Sequence, residues 1–301
     1  MNSSPLVSII CVCYNHQDYV ERTLHSVLNQ TYKNIEIIII DDCSEDASVL
    51  TIERYLKTIN IPIVFLKNTK NLGSTKTFNY ASSFANGDFI LDLACDDVLL
   101  PNCVTTQVNA FLTSDLEKTA LVFGNSTNID ENDAFISDYF TTNSDKKVVD
   151  KNLHNTNLLR ILRGGMCMNS AAALINFKIF KELGKYDENL FFEDLDYWIR
   201  AAEKYNIVFI DEFLTQKRRL SNSLGSQFYI KNDLSDKIDH SMVLIYQKTI
   251  SKHHKSTSVL KALLKRVHNS IDESLKTKKW KNLLIFGIEK LKIHYYLLFS
   301  K

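Results

Sequence analysis

The stretch Ile37-Ile38-Ile39-Ile40-Asp41-Asp42 decides the fold. Four consecutive branched apolar residues are typical of a strand buried on both faces, as in a parallel sheet. Two adjacent carboxylates follow where that strand ends. Because ligands of open α/β sheets bind at the carboxyl ends of the strands, the stretch predicts a buried strand that brings an acidic pair to a binding edge.

Two further acidic clusters stand at comparable places. Asp96-Asp97 follow the apolar stretch 89–93, and Glu193-Asp194 stand at the head of a predicted helix. Carboxylates gathered at one edge repel one another unless a cation or a donor-rich ligand lies between them. We therefore predict a site for a metal-bound, phosphorylated substrate with many hydroxyl groups.

Strands and helices alternate along the chain on both sides of the isoleucine run. Strands are predicted at residues 7–12, 35–40, 63–66, 89–93, 120–123 and 207–210. Apolar residues at helical spacing predict helices at 20–28, 52–59, 78–85 and 195–202. This alternation favours an α/β fold with a mostly parallel, doubly wound sheet and right-handed crossovers. The polar segment 128–157 has two interpretations, a mobile loop over a site or a variable surface insertion.

The composition is that of a globular protein. The 301 residues are 45% hydrophobic and 11% aromatic, which is ample for the core of one large or two small domains. The six cysteines form no Cys-x-x-Cys pair, so we interpret them as reduced thiols of a cytoplasmic protein. Cys11 and Cys13 alternate on one predicted strand and are expected to share a face. The start of the chain is polar, unlike a secretory leader, and no apolar run reaches the roughly 20 residues that span a bilayer.

The small net charge hides an asymmetry between two parts of the chain. Residues 226–301 contain 15 lysines and arginines against 6 acidic residues, whereas residues 1–225 contain 21 against 29. Leu260, Leu263, Leu264 and Val267 form a helical stripe in this tail, and 283–286 and 295–299 are apolar. Two interpretations stay open: peripheral contact with an anionic membrane at its inner face, or packing on the rest of the chain or on a second copy in a homo-oligomer. No nucleic-acid partner is expected.

Several short motifs could bind a nucleotide or serve only local structure. Tyr14 and Asn15 follow the first strand, where they could hold a base or simply form a strand-to-helix turn. Asn71 and Gly73 precede a helix whose start offers N–H groups to phosphate, and Lys76 adds a positive charge there. The stretch is not a P-loop, because the Gly-Lys-Ser/Thr ending is missing.

The acidic clusters carry the same ambiguity. Asp41 and Asp42 could contact a nucleobase or ribose, or cap a helix. Asp96-Asp97 could hold a hard divalent cation that neutralises a departing diphosphate, or form a turn. Glu193-Asp194 could supply a general base, or stabilise the helix dipole, with Asp196 and Arg200 as an i, i+4 pair. Arg218-Arg219, followed by Asn222-Ser223, could grip phosphate or form a solvated basic loop.

In order and spacing, these segments resemble family 2 glycosyltransferases of the GT-A fold over residues 5–226. The resemblance rests on four groups of segments: 7–15; 26–32 and 40–46; 71–73 and 87–91; and Asp96-Asp97 with Pro101, 193–196 with Arg200, and Arg218. It implies a catalytic domain at 1–225, with a nucleotide-binding half at 1–110 and an acceptor half at 111–225. The region 226–301 lies outside the resemblance, and its charge and periodicity predict a basic helical region.

The resemblance also implies a reaction. An inverting enzyme would move a sugar from a nucleotide diphosphate donor, such as a UDP-sugar, to a hydroxyl of a glycan or lipid-linked acceptor in cell-surface polysaccharide synthesis. Asp194 would be the base, supported by Glu193 or Asp196. Asp96 and Asp97 would hold Mg²⁺ or Mn²⁺ at the diphosphate. Donor contacts would come from Tyr14, Asn15, Asp41, Asp42, Asn71, Gly73, Lys76, Asp96 and Arg218. Donor selectivity is expected to depend on Gly164-Gly165, Asn169-Ser170 and 128–157.

Three positions depart from the family pattern. Ala94 stands where the family often has the first acid of Asp-x-Asp-Asp, Phe78 where it often has an arginine, and Leu220 where it often has a histidine. The missing acid at Ala94 supports an alternative function, a non-catalytic module that binds a nucleotide-sugar or a glycan. A nucleotidyltransferase is a further alternative, although the glycine-rich phosphate loop usual after its first strand is absent.

Overall fold

The computed structural model describes residues 4–221 and 230–299. The predicted boundary at 225/226 and the pair Asn222-Ser223 lie outside the described residues. Within the described part of the chain, nine strands form one sheet in the order β3-β2-β1-β4-β8-β6-β9-β5, with β7 paired to β6.

The first half of the sheet is parallel, as predicted. Its elements are β1 (Val7–Cys13), α1 (Val20–Leu28), β2 (Ile35–Asp41), α2 (Ser48–Leu56), β3 (Val64–Lys67), α3 (Ser74–Ala81) and β4 (Phe89–Ala94). β1 pairs in parallel with β2 and β4, and β2 pairs in parallel with β3. The register places Cys13 beside Asp41 and Val12 beside Ala94, so these strands end together at one edge.

The four isoleucines show why this strand is buried on both faces. Ile37 and Ile39 belong to one hydrophobic cluster, and Ile38 and Ile40 belong to another on the opposite face. Successive side chains of a strand point to opposite faces, so each pair enters a different core layer. Cys11 and Cys13 lie fully buried in one cluster, which confirms that they share a face.

The second half of the sheet is mixed. Its elements are β5 (Val98–Leu99), α4 (Cys103–Leu112), β6 (Thr119–Ile129), β7 (Phe135–Asp138), α5 (Leu158–Arg163), β8 (Ala173–Asn176), α6 (Phe177–Glu182), α7 (Glu193–Ala202) and β9 (Asn206–Arg218). β8 lies antiparallel between β4 and β6, and β9 pairs in parallel with β6. Sequence periodicity did not find α4, α5, α6 or β8, because these elements are short or surrounded by polar residues.

The polar segment 128–157 forms regular structure, is largely exposed, and is anchored in the core by buried apolar side chains. It completes β6, turns back as β7 and ends in a 3₁₀ turn at Lys151–Asn155. Phe140, Val148 and Leu153 are buried in the main core. The Asn125 side chain hydrogen-bonds the backbone of Phe140 in both directions, at 2.8 and 3.0 Å. The segment is therefore part of the packed body of the protein.

Three long helices lie in the described range 230–299: α8 (Asp233–His253), α9 (Thr257–Lys276) and α10 (Trp280–Phe299). Leu260, Leu263 and Val267 of α9 are completely buried in the main hydrophobic core. The apolar stripe of α9 therefore packs on the rest of the chain, which is one of the two interpretations of the tail. No helix among the described residues is long and apolar enough to cross a membrane.

Candidate active site

Segments from the first two acidic clusters meet beside the end of β1. The backbone N–H of Asp42 donates to the carbonyl oxygen of Cys13 at 2.8 Å, and that of Cys95 donates to Val12 at 2.9 Å. These bonds extend the parallel ladder past the strand ends. The side chains of the segments after β1, β2 and β4 therefore share one edge of the sheet, as predicted.

Asp41 and Asp42 are buried and hydrogen-bonded to nearby loops. Asp42 accepts from the backbone N–H groups of Leu72 and Gly73 at 2.9 and 2.8 Å, and from Asn68 Nδ2 at 2.7 Å. Asp41 accepts from both the N–H and the hydroxyl of Ser44. These bonds fix the loop that leads into α3 and the turn after β2.

The predicted donor contacts around this pair differ in accessibility. Asn15 has a left-handed backbone, φ 57°, and its Oδ1 accepts from Glu45 N–H at 2.8 Å, so it forms the turn that was the alternative to base binding. Tyr14 and Lys76 are exposed. Gly73 has φ 85°, and an added Cβ would meet no atom within 4 Å, so the start of α3 is open to a ligand. The side chain of Asn71 accepts from Gly73 N–H at 3.0 Å.

Asp96 and Asp97 are buried with fewer donors. Asp97 Oδ1 accepts from the backbone N–H of Arg218 at 2.8 Å. Burial, and then repulsion from Asp96, raises the pKa of Asp97 to about 7. Burial also raises the pKa of Asp96. His16, which the motif analysis did not select, lies with Nε2 3.9 Å from Asp96 Oδ2, and its buried Nδ1 has no partner among the described residues.

Arg218 is buried rather than turned toward a ligand. Its Nε donates to the carbonyl of Asp96 at 3.0 Å, Nη1 to the carbonyl of Asp130 and Nη2 to Asp133 Oδ1, both at 2.6 Å. The guanidinium thus fixes the acidic pair and the β6–β7 hairpin. Its neighbour Lys217 lines the cavity described below, and within the described residues it makes no ion pair. Strand alternation was the signal that could have separated these two side chains.

The third acidic cluster begins α7. Asp194 Oδ2 accepts from the Ser170 hydroxyl at 2.9 Å, and its Oδ1 accepts from Leu195 N–H at 2.7 Å. Burial raises the pKa of Asp194. Burial, and then the charge of Asp194, raises the pKa of Glu193 to about 8. Both carboxylates are therefore held where a negative charge is disfavoured.

Asp196 has a different environment. Its Oδ2 accepts from Arg200 Nε at 2.7 Å, and its Oδ1 accepts from Lys248 Nζ at 3.0 Å. The i, i+4 ion pair expected as the purely structural alternative is confirmed. Asp196 joins α7 to α8 and does not support Asp194.

Asp92 on β4 links the second and third clusters. Burial, the charge of Asp194 and, to a smaller extent, the charge of Asp97 raise its pKa to about 7, while a hydrogen bond with Tyr186 opposes the shift. The charges of Asp194 and Asp97 can raise the pKa of Asp92 only if they act through a poorly solvated part of the protein. The motif analysis missed Asp92, although an aspartate inside the buried strand Phe-Ile-Leu-Asp-Leu-Ala was a visible signal.

A cavity of about 740 Å³ extends from Glu193 and Asp194 to α9. Its lining also includes Ser170 and Lys217, and Arg266 and Asn269 of α9. We name this space the α9 cleft. Its far end reaches Thr277 and Lys279, between α9 and α10.

Asp96 and Asp97 fit a metal only in combination with a ligand. Among the described residues, no group of three or more His, Cys, Asp or Glu could hold a metal ion. Two adjacent, buried carboxylates with raised pKa values supply hard oxygen donors and repulsion that a cation would relieve. Ala94 removes a third carboxylate, so the remaining oxygens would have to come from a diphosphate or water.

A statistical model of the family described as "Glycosyl transferase family 2" matches residues 8–184, more than half of the chain. The chain belongs to glycosyltransferase family 2. This confirms the resemblance found in the sequence. The match covers the sheet edge with the first two acidic clusters and ends just before the third.

Curated relatives of this family 2 chain are themselves glycosyltransferases by description. An "uncharacterized glycosyltransferase" from Rickettsia bellii is 31% identical over 224 residues, covering 74% of this chain and 31% of the relative. A protein of the same description from Methanocaldococcus jannaschii is 30% identical, covering 71% of each chain. The Bacillus subtilis "putative teichuronic acid biosynthesis glycosyltransferase TuaG" is 40% identical over 97 residues, covering 32% of this chain and 38% of TuaG. The chain spans only about a third of the first Rickettsia relative.

Solved structures confirm the GT-A fold of the family 2 chain. Staphylococcus aureus TarS 1–349 in complex with UDP aligns with a TM-score of 0.66 and 18% identity, covering 98% of this chain and 88% of that one. A mannosyltransferase from Pyrobaculum calidifontis in complex with GDP-Man and Mn²⁺ aligns with a TM-score of 0.60 and 13% identity, covering 96% and 88%. At this identity the likeness concerns the fold.

Proposed function

We propose that the protein is an inverting glycosyltransferase that moves a sugar, from a UDP-sugar, to a hydroxyl of a glycan or lipid-linked acceptor in cell-surface polysaccharide synthesis. The observation that carries the proposal is electrostatic: burial, the charge of Asp194 and then that of Asp97 raise the pKa of Asp92, and Asp194 itself lines the cavity of about 740 Å³ that reaches α9. Family membership and the TarS structures with UDP and UDP-GlcNAc support the donor class.

The donor would occupy the edge between β2, β1 and β4. Tyr14 is exposed and offers an aromatic face to the base, while Asp42 holds the 71–73 loop and the open start of α3 near the phosphates. Lys76, which is exposed at the start of α3, and Lys217 would contact the diphosphate. Arg218 would act indirectly, by fixing Asp96 and Asp97.

Asp96 and Asp97 would bind Mg²⁺ or Mn²⁺ together with the donor diphosphate. When bound, such a cation neutralises charge on the leaving diphosphate. The two carboxylates must lose their protons to bind it, so their raised pKa values couple metal binding to pH. The Mn²⁺ complex of the Pyrobaculum mannosyltransferase supports the metal class.

Asp194 would serve as the general base. It would take the proton of the acceptor hydroxyl as that oxygen bonds to the anomeric carbon, and the bond from that carbon to the diphosphate oxygen breaks with its electron pair leaving on the diphosphate. The Ser170 hydroxyl orients the carboxylate. Glu193, with a pKa of about 8, retains its proton at neutral pH and limits the negative charge beside the base.

A nucleotide-sugar panel tests the activity. The purified protein with Mn²⁺ and UDP-, GDP- or dTDP-sugars is expected to release nucleotide diphosphate slowly from one class of donor. Ala94 favours a second function, a binding module without turnover. Saturable UDP binding with no release from any donor would support that module instead, and no nucleotide binding at all would contradict both.

The exposed face of α10 supports peripheral contact with an anionic membrane at its inner face. Its large apolar side chains recur every three or four residues on one side of the helix: Trp280, Leu284, Ile288, Leu291, Tyr295, Leu298 and Phe299. Leu284, Leu291 and Leu298 are 68–74% exposed. Lys281 and Lys292 are exposed beside the stripe, whereas the acid of this helix, Glu289, is buried and paired with Lys292. A long apolar stripe with flanking cations and no exposed acid is typical of interfacial helices.

Vesicle flotation separates a membrane from a second copy as the occupant of this stripe. The protein is expected to float with phosphatidylglycerol vesicles at low salt, and a Leu284→Ser/Leu291→Ser variant is expected to stay in solution. Leu50, 68% exposed on α2, provides the matched control Leu50→Ser. A dimer in solution that the double variant dissociates, without flotation of the wild type, would contradict membrane contact.

A further inference from the structure

The α9 cleft contains a buried arginine that the proposed reaction does not use. Arg266 of α9 lines the cleft and is 9% exposed. Its Nη2 donates to the carbonyl of Ile161 at 2.6 Å, at the end of α5. Its Nε is buried without a hydrogen-bond partner, and within residues 4–221 and 230–299 Arg266 makes no ion pair.

A buried guanidinium with neither a carboxylate nor a full set of acceptors is unfavourable, because both its charge and its N–H groups have left water. A guanidinium has five N–H donors, and the carbonyl of Ile161 accepts from one of them. The unsatisfied Nε belongs to a side chain in the wall of an open cavity. This arrangement is what an incoming anion would complete.

Cationic side chains without an ion pair favour an anion in the cleft. Lys217 and Arg219 line it together with Arg266 and make no ion pair within the described ranges. The acids of this lining on α8 and α9 are already paired, Asp239 with Lys279 and Glu273 with Lys276. In the described lining, Lys217, Arg219 and Arg266 therefore stand against the two acids Glu193 and Asp194.

Gly164 keeps the space beside the guanidinium open. Gly164 and Gly165 both have left-handed backbones, with φ 79° and 81°. A Cβ on Gly164 would lie 3.7 Å from Cζ and Nε of Arg266 and 3.4 Å from Asn269 Nδ2. A side chain there would occupy the space from which a ligand reaches these donors.

We propose that Arg266, with Asn269, binds a phosphate group carried by the acceptor, so that the acceptor is a phosphate-bearing glycan or a lipid-linked saccharide phosphate. The identification of the ligand as an acceptor rests on the proposed transfer reaction. The anion site itself does not depend on that reaction. The positive charges of Lys217 and Arg266 also oppose the burial that raises the pKa of Asp194, which places the site electrostatically close to the base.

Inorganic phosphate, added to protein already saturated with UDP, tests the site apart from the donor site. We expect saturable binding by isothermal titration, weaker by at least about tenfold in Arg266→Gln, with unchanged UDP affinity. Arg266→Lys keeps the charge and should retain part of the affinity. Arg54→Gln, on the exposed side of α2, is the matched control. Acetate should bind more weakly than phosphate.

The ¹⁵Nε resonance of Arg266 can be followed while the wild-type protein is titrated with phosphate. This measurement does not require any variant to fold, because Arg266→Lys is used only to assign the signal. Phosphate should shift this resonance saturably with UDP present. Equal phosphate affinity in wild type and Arg266→Gln, or an unshifted resonance, overturns the proposal. Failure of UDP to bind would count against the proposed function alone, because phosphate can then be titrated without it.

Discussion

Two acidic pairs lie at the same edge of one sheet, yet their environments are opposite. Asp41 and Asp42 are surrounded by donors from residues 44 and 68–73. Asp96 and Asp97 are also buried but accept from fewer donors, and their pKa values are raised. The first pair is hydrogen-bonded to loops within the protein. The second pair, with Asp92, Glu193 and Asp194, stores repulsion that a ligand could relieve.

The largest expected effect concerns the base. Asp194→Asn should lower kcat about 10²–10⁴-fold, because a positioned general base contributes about that much, while donor binding stays within a factor of about two. Turnover and equilibrium donor binding are measured on the same preparations. Asp196→Asn is the control, since Asp196 pairs with Arg200 and Lys248 instead. Equal loss of kcat in both variants would contradict the assignment.

The next largest effect concerns Asp41 and Asp42, the pair that accepts many hydrogen bonds from nearby loops. Asp42→Asn places an amide against the N–H groups of Leu72 and Gly73, and leaving buried donors unsatisfied costs about 1–3 kcal/mol. We expect a lower free energy of unfolding in urea and a higher KM for the donor, because the loop before α3 loosens. An unchanged unfolding midpoint would remove the distinction between the two pairs.

The third variant, Asp97→Asn, should raise the free energy of unfolding, whereas Asp42→Asn should lower it. Asp97→Asn removes a buried charge whose pKa is raised, so the ligand-free protein should become more stable at pH 8 by at least about 1.4 kcal/mol, the value of one pKa unit. The same variant should lose Mn²⁺-dependent donor binding. Destabilisation of the ligand-free protein would show that Asp97 is already satisfied.

The smallest effect is a pH dependence. Asp92 and Asp97 have folded pKa values of about 7, against 3.8 in the unfolded chain. Between these values the folded state binds more protons than the unfolded state, so the free energy of unfolding falls as pH rises from about 4 through 7. Urea titrations of the ligand-free protein should show this fall, reduced in Asp97→Asn. Over the same range, Mn²⁺-dependent binding should strengthen as pH rises, since the metal needs the ionised form.

The fate of the predicted residues shows how far sequence patterns reach. Sequence patterns located Asp97 after a buried strand and Asp194 in the first turn of a helix, because strand ends and helix starts are local features. That the two residues belong to one site stays a prediction. Arg218 and Lys217 are neighbours in sequence, but only the path of β9 past Asp96 and Asp133 decides which one is buried. In the same way, the apolar stripes of α9 and α10 look alike in sequence, and packing alone buries the first and exposes the second.

By itself, the run 37–42 determined a strand buried on both faces, a parallel sheet and an acidic edge, since these follow from the spacing of neighbouring residues. Tertiary structure alone decided which carboxylates find donors, that the charge of Asp194 acts on Asp92, and that Arg266 makes no ion pair within the described residues. The physical reason is that hydrogen bonds and charge–charge interactions in a poorly solvated interior depend on groups brought together from distant parts of the chain. Periodicity along the sequence carries no record of those neighbours.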